Sequence, residues 1–124
     1  MGESEEDRVD FLWQLVNFDP VPESITINAL IAVPGTPLSQ QKPATALELA
    51  RVIATARILM PKSMVRLSAG RKGMSSEGQF LCFLAGANSI FLGDRLLTSS
   101  NPAVEEDHAL FREVGMKPME AVLR

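Results

Sequence analysis

The sequence predicts an α/β fold, a partial (β/α)8, TIM-barrel-like architecture of about three βα units with parallel strands. Three observations carry this expectation. Segments with helical apolar spacing alternate with short apolar runs, in the order α-β-α-β-α-β-α. Helices alternating with short buried strands argue for right-handed βαβ units and a parallel sheet. Three strands alone leave two open edges and one uncovered face. A barrel is an architecture that places every helix on one side of the sheet. No repeat, low-complexity tract or linker interrupts the chain, so residues 1–124 read as a single segment.

Ser4 suits a helix N-cap and Asp7 follows three residues later, a loose capping box. Glu5, Glu6 and Asp7 put negative charge where the helix dipole favours it. Phe11, Leu12, Leu15 and Val16 recur at helical spacing, so a helix is expected over about 4–16. Two prolines in "NFDPVPES" end it. "ITINALIAV", 25–33, is apolar and rich in β-branched residues, and predicts a strand covered on both faces. "PGTPLSQQKP" is a loop. A helix is expected over about 44–59, with Leu47, Ala50, Ala54 and Ile58 on one face and Pro61 beyond its end. "MVRLS", 64–68, predicts the second strand, and "AGRKGMSS" a loop. Ser75 or Ser76 caps a third helix marked by Phe80, Phe83, Leu84 and Ala87. "SIFL", 89–92, is the third strand, and "GDRLLTSSNP" a longer loop. Asn101 is expected to cap a last helix that begins at Pro102, is lined by Leu110, Phe111 and Val114, and closes at Gly115.

Composition narrows the function classes. With 46% apolar and 22% charged residues, the chain is that of a globular protein. A net charge of −3 without a basic block argues against nucleic-acid binding through phosphates. No apolar run approaches the roughly 20 residues of a membrane helix. The acidic start "MGESEEDR" lacks the hydrophobic region of a secretory signal, and a cytoplasmic protein is expected. One cysteine and one histidine cannot complete a four-ligand soft-metal site. Cys82, by its spacing, reads as a small buried helix residue, and His108 as solvated beside acids.

The charge in "SMVRLSAGR" is the feature that asks for a reason. Arg66 stands in the middle of a strand, and an arginine keeps its proton. Buried without a partner it would be strongly unfavourable. Strand residues alternate between faces. Ile25, Ile27, Ala29 and Ile31, with Val65, Leu67, Ile90 and Leu92, would face the helices. Thr26, Asn28, Arg66, Ser68 and Ser89 would then gather on the opposite face. In a barrel that face is the lumen, which is ordinarily filled by Val, Ile and Leu. A polar lumen around Arg66 points to a small-molecule site inside it. Two plainer readings stand beside this one. A strand arginine is often an edge residue or an ion-pair partner, and an isolated asparagine such as Asn28 is often bonded to backbone.

Three stretches, "PESITINALIAVPGTPL", "ATARILMPKSMVRLSAGR" and "CFLAGANSIFLGDRLLTSSNP", resemble the C-terminal part of biotin synthase, a radical S-adenosylmethionine enzyme family. The likeness covers roughly residues 2–117. The resemblance implies a barrel with two iron–sulfur clusters that inserts sulfur into dethiobiotin to form biotin. In that family a four-iron four-sulfur (4Fe-4S) cluster held by a CxxxCxxC triad binds and reductively cleaves S-adenosylmethionine. A two-iron two-sulfur (2Fe-2S) cluster, held by three cysteines and one arginine, donates sulfur. Matching "VRLSAGR" places that arginine at Arg66. Asn28, in "INAL", matches a residue near the substrate. "GES" at 2–4 matches the end of a "GxxGxGE" turn that seats S-adenosylmethionine, with Glu3 as its acidic member. The resemblance further implies a homodimer and an electron-donor protein such as flavodoxin or ferredoxin.

The chain departs from the family pattern in lacking the CxxxCxxC triad and the cysteines of the second cluster. It begins at Met1 where the family has an internal glycine-rich turn, which fits a fragment of a longer enzyme. The expectation is therefore a chain inactive alone. The alternative is a half-barrel or split-enzyme subunit whose partner chain carries the cysteines. A third possibility is a related radical enzyme acting on another substrate.

Overall fold

The computed structural model describes residues 2–97 and 99–119. Helix α1 (Glu5–Val16) precedes strand β1 (Ser24–Ile27), helix α2 (Ala46–Leu59), strand β2 (Met64–Leu67), a 3-10 turn (Arg71–Gly73), helix α3 (Ser76–Leu84), strand β3 (Ser89–Ile90) and helix α4 (Val104–Glu113). The sheet order is β1-β2-β3 and both pairings are parallel, as expected from the alternation of elements. Met1, where the chain was expected to interrupt a longer enzyme, and Thr98, in the loop expected at 93–102, lie outside the described residues.

Capping explains where the helices start. Ser4 and Asp7 form a full capping box, with the Asp7 amide donating to Ser4 Oγ at 3.1 Å and the Ser4 amide donating back to Asp7 Oδ2 at 2.8 Å. Thr45 and Glu48 repeat the device at α2. Ser75 Oγ accepts from the Gly78 amide at α3. At α4 the expectation fails: the helix begins two residues later than Pro102, behind Ala103, whose amide donates to Glu106 Oε2 at 3.0 Å. Asn101 does not cap it, because its side-chain amide is engaged with other carbonyls. Gly115 does close α4, at φ +69, where a side chain would be strained.

The strands are shorter than the apolar runs. The run 25–33 was expected to be one strand covered on both faces, but β1 ends at Ile27 and its burial alternates, with Ile25 and Ile27 buried and Ser24 and Thr26 exposed. The pairing carries on only as far as Ala29, whose amide donates to the Ala69 carbonyl. There Gly70, at φ +88, turns the partner chain away, and residues 30–33 have nothing to pair with. A side chain at Gly70 would meet the Ala29 Cβ at 2.5 Å, so the turn needs glycine for room as well as for φ. β3 likewise stops at Ile90 rather than Leu92.

Ile25, Ile27, Val65 and Leu67 form the buried face of the sheet and pack with Leu12 of α1, Ile53 and Ala56 of α2, Cys82 and Phe83 of α3, and Leu110 of α4. Burying each such aliphatic side chain contributes about 1.5–3 kcal/mol relative to exposure. The stripe on α2 is not the expected one: Leu49, Ala50, Ile53 and Ala56 are buried, while Leu47 and Ile58 are 54% and 78% exposed. Two apolar stripes run along that helix, and the one through Leu49, Ile53 and Ala56 packs into the core. On α3, Leu84 is likewise exposed, and Gly78, Gln79, Cys82 and Phe83 turn inward. Arg57 joins the ends of α2 and α3 by donating to the carbonyls of Gly86, Pro61 and Ser63.

Candidate functional site

The parallel register sets Thr26, Arg66 and Ser89 side by side across the three strands, on the face away from the aliphatic core. Arg66 Nε donates to Ser89 Oγ at 3.1 Å, and its guanidinium carbon lies 4.5 Å from the centre of the Phe91 ring. The side chain is half-buried. A cation over an aromatic face gains about 0.5–2 kcal/mol, yet its charge is not cancelled. Among the described residues no carboxylate lies within ion-pair distance of Arg66. The ion-pair reading of the strand arginine is therefore corrected for the described residues: the guanidinium is oriented by a hydroxyl and a ring, and no described carboxylate offsets its charge.

Asn28 follows β1 on the same face. Its Oδ1 accepts from the Ala69 amide at 3.0 Å, so the plainer reading holds for the carbonyl: it fastens the "SAG" turn after β2. The Nδ2 group makes no hydrogen bond within the described residues, so its two donors are available to a ligand. Asn28 and Thr26 line an open cleft of about 1280 Å3 bounded by α1, the start of α2 and the turn after β2. Glu3 lines the same cleft, and its Oε1 accepts from Arg8 Nε at 3.3 Å. The structure thus brings Glu3 and Asn28 to one cavity. Arg66 is not part of that lining; it stands one strand over, beside Thr26. Ser68, expected on this polar face, is buried, with its amide bonded to the Ile27 carbonyl.

Cys82 is fully buried in the core on the opposite side of the sheet, and burial pushes its thiol pKa up. It is no cluster ligand in reach of Arg66. His108 is exposed, as expected. Among the described residues no group of three His, Cys, Asp or Glu side chains is arranged to hold a metal.

Two features escaped the sequence. Arg71 and Asp107 form a fully buried ion pair that ties the turn after β2 to α4. Burial pushes the Asp107 carboxyl above its ordinary range, more than the neighbouring Arg71 pulls it down, and burial lowers Arg71. Arg71 Nε and Nη1, Asp107 Oδ2 and Gln79 Oε1 are buried without a hydrogen-bond partner. Nothing in "VEEDHAL" distinguishes Asp107 from its solvated neighbours; only the inward phase it shares with Leu110 hints at burial. The second feature is Asn101, whose Nδ2 donates to the carbonyls of Phe91 at 3.0 Å and Gly93 at 2.7 Å.

The sequence matches the Biotin and Thiamin Synthesis associated domain over residues 26–117, from β1 through α4. The chain belongs to this family. Curated proteins named biotin synthase resemble it over nearly its whole length. That of Maricaulis maris (strain MCS10) is 60% identical over 96% of this chain and 36% of its own length. Those of Xanthomonas campestris pv. campestris (strain B100) and Christiangramia forsetii are 57% and 54% identical, over 97% and 98% of this chain. The chain spans about a third of the length of these relatives. Arg66, Asn28 and the turn after β2 all fall within the matched domain.

Proposed function

We propose that this chain is the C-terminal portion of a biotin synthase, in which Arg66 ligates the 2Fe-2S cluster that donates sulfur to dethiobiotin. The observation that carries the reading is an oriented guanidinium on the open face of a parallel sheet, with no compensating carboxylate among the described residues. That face would line the lumen of a (β/α)8 barrel completed by the remaining two thirds of the enzyme. The residues present fit one position of the cluster and no more, since Cys82 is on the wrong side of the sheet. When bound, the cluster supplies the sulfur atom.

What the chain's own residues contribute follows from their contacts. Ser89 fixes Nε of Arg66, and Phe91 fixes the plane of the guanidinium. The two Nη nitrogens are then the atoms turned to an anion, with little rotamer entropy left to lose. Asn28, with its carbonyl committed to the turn, offers its Nδ2 donors to the oxygens of dethiobiotin in the cleft. Glu3, at the rim of that cleft, would meet S-adenosylmethionine bound at the 4Fe-4S cluster, whose ligands lie on another part of the enzyme.

A second reading has its own support. Val9 and Trp13, one turn apart on α1, are each more than half exposed, a surface suited to a partner polypeptide that carries the cysteines. Both readings share the chemistry and differ in how many chains perform it. The test is anaerobic reconstitution with iron and sulfide of the longer protein containing this segment, then incubation with dethiobiotin, S-adenosylmethionine and a reductant. Biotin is expected from the reconstituted protein and none from this chain alone. A fully reconstituted longer protein that makes no biotin would overturn the proposal.

A further inference from the structure

We propose that Asn101 is a positioning residue for Arg66, acting through Phe91. Asn101 is almost wholly buried at 3% exposure, yet it does not cap the helix that follows it. Its backbone amide donates to the Asp94 carbonyl at 2.9 Å, and its one NH2 group donates to both Phe91 and Gly93. Together with the antiparallel bridge between Arg95 and Ser100, these bonds bring Asn101 back against Phe91, Gly93 and Asp94, at the neck of the loop that follows β3.

The loop needs that neck. β3 has two residues and ends at Ile90, so Phe91 receives no support from the ladder. Phe91 is itself 41% exposed, so packing holds it weakly. Gly93, at φ +114 with open space around it, leaves the backbone free to take other conformations. The carbonyl bond from Asn101 is therefore what holds the Phe91 backbone where its ring lies 4.5 Å from the Arg66 guanidinium. Ser89 grips Arg66 at Nε from β3, and Asn101 sets the other wall from the approach to α4. Only a side chain with two N–H donors on one atom serves both carbonyls; aspartate and alanine have none. The importance of this arrangement for sulfur donation rests on the assignment of Arg66 above, but the arrangement itself is testable without any cluster.

The readout is the Nε–H resonance of Arg66 in 15N–1H spectra of the full chain, identified by its loss in Arg66→Lys. The Phe91 ring displaces that resonance by its ring current, so Phe91→Leu defines the position without the ring. Asn101→Asp, nearly isosteric but without donors, is expected to shift the Arg66 resonance toward the Phe91→Leu position. Asn101→Ser, which keeps a single donor, is expected to give an intermediate shift. Leu110→Ala loosens the packing of α4 without touching the loop and is expected to leave the resonance in place. The proposal is overturned if both Asn101 variants leave Arg66 at its wild-type position, or if Leu110→Ala moves it as far. Should Asn101→Asp fail to fold, the position in Asn101→Ser decides alone.

Discussion

Removing Asp107 should cost this chain far more than removing the whole ion pair. Arg71 and Asp107 are 1% exposed each, and the contact joins the turn after β2 to α4 across the core. Replacing Asp107 by alanine leaves a guanidinium with no anion and no access to water. Breaking a buried pair in this way costs about 3–5 kcal/mol. That is a large share of the 5–15 kcal/mol by which domains of this size are typically stable. The geometry argues for the upper half of the range, because Arg71 Nε and Nη1 already lack partners and Asp107 supplies the contact to Nη2. Converting both residues, Arg71→Met with Asp107→Leu, removes the stranded charge together with three of the four unsatisfied atoms. The double variant should fall within about 1 kcal/mol of wild type or exceed it, since hydrophobic replacements of buried pairs are often neutral or stabilising. The assay is urea unfolding of wild type, Asp107→Ala, Asp107→Leu, Arg71→Met and the double variant, followed by far-ultraviolet circular dichroism, since urea does not screen charge. A cost below about 1 kcal/mol for Asp107→Ala would place the pair among solvated ones and refute the reasoning. So would a double variant less stable than either single one.

Gly70→Ala should destabilise by at least about 2 kcal/mol, combining left-handed strain with the clash against Ala29; an unchanged urea midpoint would show that the turn yields freely. The Asp7 and Glu48 carboxyls are held below their ordinary range, first by the backbone amides and then by the hydroxyls of Ser4 and Thr45. Depressed folded values mean that these groups stabilise above the unfolded pKa near ~4, and that the contribution is lost as pH falls through the folded value. Urea midpoints should therefore drop below about pH 4, and Ser4→Ala with Thr45→Ala should flatten that drop; parallel curves for wild type and variant would contradict it. Cys82, buried and with its thiol pushed up, should resist iodoacetamide in the folded chain and react once urea unfolds it. Rapid labelling without denaturant would show the α2–α3 interface open.

The order of elements and the parallel sheet were legible because they rest on coarse patterns: helical spacing, capping residues and prolines. Ser4 and Ser75 act at the starts of α1 and α3 through interactions confined to three or four residues, which a local reading can see; the same device at Thr45 went unnoticed. Strand length was not legible. Residues 30–33 are more apolar than residues 24–27, and what stops β1 is the turn at Gly70, forty residues downstream. The inward stripe of α2 was equally hidden, because Leu47 and Ile58 are as apolar and as large as the buried Leu49 and Ile53, and only the sheet decides which row it accepts. At the site, the alternation of β2 put Arg66 on the polar face beside Thr26 and Ser89, as the register shows. The ring of Phe91 against it was not foreseeable, since Phe91 lies beyond the end of β3. Asn101 was misread because asparagine before proline is also a good helix cap, and its true partners are carbonyls eight and ten residues earlier. Asp107 illustrates the same limit: it is one of several acids on the first turn of α4, and only its contact with Arg71 singles it out.

The proposed role of Arg66 sets its guanidinium, which no described carboxylate offsets, against an anionic cluster. The most direct measurement is the midpoint potential of the 2Fe-2S centre in the reconstituted longer protein, for wild type, Arg66→Met and Lys72→Met, the last an exposed cation elsewhere on the turn. Loss of a cation from the cluster's own shell makes the added electron less favourable, so Arg66→Met should lower the potential and alter the visible spectrum while Lys72→Met changes neither. Identical potentials and spectra for wild type and Arg66→Met would contradict the account.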